Sequence, residues 1–207
     1  MWSVLIFLLV LVAVNWWDYS TSVQEYTIAQ PKHADEIGAL MGDKTPIVVE
    51  LAVPVPPAGA EIGEATAETM GLTLGLTDLD AARRWWWMPE LRGCRVDKGA
   101  RGLTWVGAER QWVGAMDGEM TLWLVHSRYR RWLPEGGDGS VDPWTLTKET
   151  APWIGRVQYI EVSLKPGWCI GLPGHWGYAL RPVAGTPWIW TAEQHSFVSL
   201  VRQMVSG

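Results

Sequence analysis

The sequence predicts a mainly β domain, a compact antiparallel barrel or sandwich with a few short helices, preceded by one membrane-spanning helix. Three observations predict it. Seven short strand-like runs, most of them separated by Gly, Pro or Asp, fall within about a hundred residues of the C-terminal half. An unbroken apolar stretch opens the chain, and 13 of the 16 Trp lie between Trp85 and Trp190, in a protein with only 2 Phe. An indole needs a wide apolar surface and a partner for its N–H, which packed sheets supply. The 207 residues, 48% apolar and 19% charged, provide enough chain for a real core and a composition unlike that of a disordered protein.

The first element is VLIFLLVLVAV, Val4 to Val14; from Trp2 to Trp17 only Ser3 and Asn15 are polar, and the first charge is Asp18. As a helix these residues span roughly 24 Å, short for an average bilayer but tolerable in a thin one. Trp2 at one end and Trp16 and Trp17 at the other stand where interfacial aromatics sit, with Phe7 inside the apolar run. A buried core helix is disfavoured for a segment apolar on every face, and a cleaved signal peptide is the rival reading. It would want a basic leader and a small-x-small cut site, and this segment has no Lys or Arg and reads Ala13-Val14-Asn15-Trp16. Residues 1–17 are therefore expected to be a retained single-pass anchor in contact with lipid. Its orientation is open, because the first basic residue is Lys32.

Residues 18–30 read as a polar tether, and residues 31–207 as the folded domain. Pro31 to Met41 has helical spacing of Ala34, Ile37, Leu40 and Met41, ended by Gly42-Asp43. Ile47 to Val53 is β-branched and strand-like, and Pro54, Pro56 and Pro57 then break regular structure. Residues 63–79 form a loop or short helix. The strand candidates follow: Leu103–Val106, Met120–His126, Arg156–Leu164, Trp168–Leu172, His175–Arg181, Trp188–Thr191 and Ser196–Val201.

Charge divides the chain in the same way. Residues 1–80 hold 2 Lys against 11 Asp or Glu, a net of −9, and residues 81–207 hold 15 Lys or Arg against 11 Asp or Glu, a net of +4. An overall charge of −5 excludes a general nucleic-acid binder, which needs a basic face. Either the two halves neutralise each other in one fold, or the mildly basic half faces an acidic partner, including the acidic half of another copy.

Three constellations are candidate contact or redox sites. In HSRYRRWLP, Arg128, Arg130 and Arg131 alternate with Tyr129 and Trp132. Such a patch suits an acidic protein, lipid head groups or nucleic acid, or is simply a strand end where Arg covers aromatic faces. Trp85, Trp86 and Trp87 cannot all face one side of a strand, so at least one is expected to meet a loop, a membrane or a partner. Cys94 and Cys169 fit neither a zinc site nor a CxxC motif, and whether they pair is open.

Two segments taken together resemble cupins, particularly the cupin-like branch related to JmjC hydroxylases. In VSLKPGWCIGLPGHWGYAL, Pro166-Gly167 makes the turn, Pro173 follows after five residues and Trp176 follows that; GEMTLWLVHSRYRRWLP resembles an earlier strand of the family, ending in Trp132-Leu133-Pro134. The resemblance covers residues 80–190, more weakly 31–55, and implies a double-stranded β-helix, or jelly-roll, barrel. Family enzymes hold Fe(II) with His-x-Asp/Glu and a distant His. Counting from Pro173, the distant His position is Tyr178, and the chain's one His-x-Asp, His33-Ala34-Asp35, lies on the predicted helix before the barrel. A rearranged site would have to use His175 and His195 on neighbouring strands, with Glu193 or Asp117.

The resemblance therefore implies a barrel that binds rather than catalyses, with no catalytic residue and no cofactor. An anchor followed by a Trp-rich cupin-like domain is also similar to hypothetical proteins of large DNA viruses of algae and protists. That likeness implies a virion component, a minor capsid or capsid–membrane linking protein in an inner membrane, whose partners are other structural proteins or copies of itself. The alternatives are a membrane-tethered Fe(II)/2-oxoglutarate hydroxylase with a rearranged site and a lumenal carbohydrate-binding module.

Overall fold

A computed structural model describes residues 27–31, 44–51, 64–65, 90–136 and 138–195, together with Glu36, Ile37, Leu40, Ser199 and scattered positions of 2–17. Two antiparallel sheets account for most of them. The larger contains β1 (Ile47–Glu50), β2 (Glu64–Ala65), β3 (Glu90–Lys98), β5 (Arg110–Ala115), β8 (Trp168–Pro173) and β10 (Trp188–His195), in the order β1-β8-β5-β10-β3-β2. The smaller contains β4 (Arg101–Trp105), β6 (Met120–His126), β7 (Tyr159–Leu164) and β9 (Trp176–Pro182), in the order β4-β9-β6-β7.

From β3 onward the chain changes sheet at every connection except β6 to β7. The eight strands therefore pair as β3-β10-β5-β8 against β4-β9-β6-β7, which is the doubly wound order of a jelly roll. Tight turns permit the crossings. Gly118, at φ +73°, lies between β5 and β6, and Gly167, at φ +79°, lies between β7 and β8; both occupy the left-handed region that residues with a Cβ avoid.

Three apolar layers hold the sheets. The barrel interior draws on both, with Val113, Ile170, Leu172 and Ile189 from one sheet and Leu122, Leu124, Trp176, Tyr178 and Leu180 from the other. The outer face of the larger sheet carries Cys94, Trp112, Cys169, Trp188 and Trp190, against which Ile37, Leu40 and Leu51 pack. The outer face of the smaller sheet carries Leu103, Trp123, Val125 and Ala179, covered by Tyr129, Leu133 and Val157 from the long β6–β7 connection.

Most of the described tryptophans thus lie outside the barrel. They fit because the residue opposite is small. Trp112 faces Gly171, Trp190 faces Gly114, Trp105 faces Gly177 and Trp123 faces Ala179 across neighbouring strands. A Cβ on Gly171 would stand 2.8 Å from the Trp112 ring, and one on Gly114 would stand 2.3 Å from the Trp190 nitrogen. Three of the four indoles occupy the space a Cβ on the facing glycine would need.

Several sequence expectations change. The strand expected at Arg156–Leu164 begins at Tyr159, because Ile154–Arg156 closes a 3-10 turn. The segment Ser127–Trp132 is a 3-10 helix rather than a strand end. Of the expected strand at 196–201 only Ser199 is described, and it is helical. Strands β3 and β5 were not among the candidates. The first, ELRGCRVDK, is rich in charge, and RQWVGA is buried on both faces and so shows no alternation.

The expected helix at 31–41 is helical at Glu36, Ile37 and Leu40. Described residues of the N-terminal segment are also helical and bare: Trp2 is 79% exposed, Phe7 65% and Trp17 72%. No helix among the described residues is long and apolar enough to cross a membrane. Trp16 and Trp85, Trp86 and Trp87 lie outside the described residues.

Candidate functional site

The barrel interior is where the resemblance would place a metal, and a polar clasp lies there. Tyr178, on β9 and fully buried, accepts hydrogen bonds from Gln111 Nε2 of β5 and from Arg101 Nη1 of β4, each at 3.1 Å. Arg101 donates through Nη2 to Asp97 Oδ2 of β3 at 2.5 Å. Gln111 and Asp97 belong to the larger sheet and Arg101 and Tyr178 to the smaller, so the clasp ties the two together. Burial pushes the Tyr178 phenol above its ordinary range, although the adjacent Arg101 charge pulls the other way. Tyr178 is therefore a neutral acceptor under a fixed cation.

Along β10, His195 Nε2 meets Glu193 Oε2 at 3.1 Å, and Ser199 Oγ lies 3.4 Å from His195 Nδ1. The hydrogen bond to His195 holds the Glu193 carboxyl below its usual range, with help from the charges of Arg95 and Arg101 and against the effect of burial.

These residues do not fit Fe(II). The position expected of the distant His is a phenol already bonded to a guanidinium, and a second cation beside Arg101 would be repelled. His175 and His195 are not on neighbouring strands as expected. His175 occupies the β8–β9 turn at φ +72°, and His195 ends β10, in the other sheet from β9. Asp117 accepts from the Trp188 N–H at the opposite end of β10, about 23 Å of strand away from His195. Among the described residues no three His, Cys, Asp or Glu are grouped to hold a metal.

The cysteines do not pair. Cys94 on β3 and Cys169 on β8 share an apolar layer, but β10 and β5 lie between them. Three strand spacings put them about 14 Å apart, twice the reach of a disulfide. Both are free and buried, and burial pushes the Cys94 thiol up to about 11 and raises Cys169 as well.

The second site is the Arg-rich segment. Its 3-10 helix is capped by His126, whose Nδ1 accepts from the Arg128 N–H at 3.2 Å. His126 is buried edge-on to Trp176, and burial, with the charges of Arg128 and His175, lowers its imidazole to about 4, so it is neutral at physiological pH. Tyr129 points inward and donates to Gln158 Oε1 at 2.8 Å, which fastens the segment to the start of β7.

The arginines remain exposed, each against a ring: Arg128 over Tyr129 at 5.0 Å, Arg130 over Trp105 at 5.4 Å and Arg131 over Trp132 at 4.9 Å. Stacking removes much of a guanidinium's freedom while leaving its N–H edge available. Arg128, Arg130 and Arg131 line an open groove of about 710 Å³ with Leu133, Pro134 and Glu135. The segment is not the strand end expected, but the guanidiniums do cover aromatic faces, and the same side chains line the groove. Spacing located the basic residues, but neither the groove nor the Arg101–Tyr178 clasp was legible in the sequence. The clasp joins residues up to 77 positions apart.

No protein-family model matches the chain, and no curated protein matches it. Among solved structures it is similar to oxalate decarboxylase of Bacillus subtilis, at 10% identity and a TM-score of 0.35, over 70% of this chain and 28% of that one. It is also similar to dTDP-4-dehydrorhamnose 3,5-epimerase of Elizabethkingia anophelis NUHP1, at 10% identity and 0.36, over 74% and 70% of the two chains. A third is hydroquinone 1,2-dioxygenase of Sphingomonas sp. TTNP3 with 4-hydroxybenzoate bound, at 14% identity and 0.37, over 70% and 86%. The chain spans just over a quarter of the decarboxylase's length. The jelly roll itself is assigned from the strand order alone.

Proposed function

We propose that this protein is a membrane-tethered, non-catalytic interaction protein built on a cupin-like jelly roll. The observation that carries the reading is the clasp. Where a family enzyme would hold Fe(II), Arg101 and Gln111 bind the Tyr178 phenol, and apolar side chains, Trp176 among them, pack the interior around it. The barrel is a packed core, and contact falls to its outside, where stacked arginines and exposed aromatics are presented. The tether reading is supported by the exposed apolar side chains described in the N-terminal segment, Leu5, Ile6, Phe7, Leu9 and Val10 among them.

A narrower form of the proposal places the protein in a virion, linking an inner membrane to a protein shell, and rests on the resemblance alone. Its check is the presence of the chain in purified particles, protected by their membrane. The general proposal is tested by purifying the full chain in detergent with Fe(II) present. The expected outcome is sub-stoichiometric iron and no decarboxylation of 2-oxoglutarate. Stoichiometric iron that is lost on His175→Ala or His195→Ala would overturn it in favour of a hydroxylase.

A further inference from the structure

We propose that the groove beside Arg130 and Arg131 binds the phosphate of anionic lipid head groups, so that the outer lobe of the smaller sheet lies on the membrane holding the N-terminal helix. This deepens the tethered reading and rests on it. The lobe is residues 127–158, the connection from β6 to β7. Within it Arg130 and Arg131 make no ion pair with any described carboxylate, Glu135 at the groove's rim included. Among the described residues their charges therefore have no counter-ion, and the exposed guanidiniums lie over the rings of Trp105 and Trp132 at 5.4 Å and 4.9 Å, a placement that suits an oxyanion.

An independent feature of the same lobe points to a lipid surface rather than an acidic protein segment. Of the three exposed large apolar side chains in the described domain, Trp153, 51% exposed, stands on this lobe and Tyr159, 50% exposed, adjoins it, while Val183 follows β9. Trp153 follows Pro152 at an exposed turn and carries Arg156 over its ring at 4.7 Å. An amphipathic ring flanked by a guanidinium matches the level of phosphates and glycerols in a bilayer. Tyr129, bonded to Gln158, connects this tip with the groove.

The test uses the full chain in nanodiscs of phosphatidylcholine, and in nanodiscs where part of that lipid is replaced by phosphatidylglycerol. Backbone hydrogen exchange is read by mass spectrometry. Amides of 127–136 and 151–157 are expected to exchange at least about threefold more slowly on the anionic discs, with the rest of the barrel unchanged. R130Q/R131Q should remove that difference while keeping the barrel's own protection, and W153S should reduce it at 151–157. Equal exchange on both discs overturns the proposal. So does equal protection by inorganic phosphate on neutral discs, which would mark a free-anion site, or protection only by added poly-glutamate, which would mark an acidic protein partner. A chain that fails to co-elute with either disc instead refutes the anchor, and the groove is then read on vesicles of the same two compositions.

Discussion

His126 and Tyr178 show how single buried groups set the protein's chemistry. His126 titrates near 6.5 in an unfolded chain and is lowered to about 4 in the fold, first by burial. The unfolded state therefore takes up a proton that the folded state refuses. Stability is full above pH 6.5 and falls as pH drops from there to about 4, by on the order of 3 kcal/mol. Urea melts between pH 7 and 4 should show this slope, and His126→Asn, which keeps an acceptor for the Arg128 N–H, should flatten it. Glu193, held low by His195, acts in a separate window; its contribution is present above the ordinary carboxylate value of 4.5 and is lost below it as pH falls through the lowered one.

For Tyr178→Phe the expectation is a loss of about 1–3 kcal/mol, since the Gln111 and Arg101 donors lose a buried acceptor. A paired Gln111→Leu should recover part of it, and a double-mutant cycle by denaturation measures the coupling. Cost without coupling would remove the clasp from the explanation of the closed barrel.

At the scale of strands, the Trp–Gly pairs decide packing. Adding a methyl at Gly171 or Gly114 drives a Cβ into an indole that is itself buried and cannot swing away. Each alanine variant should cost about 1–3 kcal/mol in denaturant stability, whereas Gly155→Ala, whose Cβ meets nothing within 4 Å, should be nearly neutral. This is also where sequence reading stopped short. Strand β6 was legible to the residue, because MTLWLVH is long, β-rich and bounded by Gly118 and the Ser127 turn. Strand β5 was not, because both its faces are covered and RQWVGA has no alternating signature. The Gly opposite each Trp is likewise invisible in one dimension, since register pairs Trp190 with Gly114 across 76 positions.

At the scale of the whole molecule, the two sheets enclose one core and carry a further apolar layer on each outer face. Cys94 and Cys169 sit in the same outer layer, three strand spacings apart, and neither thiol is reachable without opening that layer. Thiol reagents should label both at a common rate in the native protein, set by unfolding, and at once in strong denaturant. Labelling one of them far faster would show that the two ends of the larger sheet open separately.

The sequence by itself determined the β character of the domain, the apolar N-terminal stretch, the separation of acidic and basic halves, and the alternation of arginine with aromatic residues around Tyr129. These follow from local composition and periodicity, which a linear reading contains. Only the tertiary structure decided that Tyr178 is clasped by Arg101 and Gln111, that His175 and His195 stand apart, that the cysteines do not pair and that most of the described tryptophans pack outside the barrel. Each of those depends on which strands become neighbours and in what register. In a jelly roll that changes sheet at nearly every turn, the neighbours are remote in the chain.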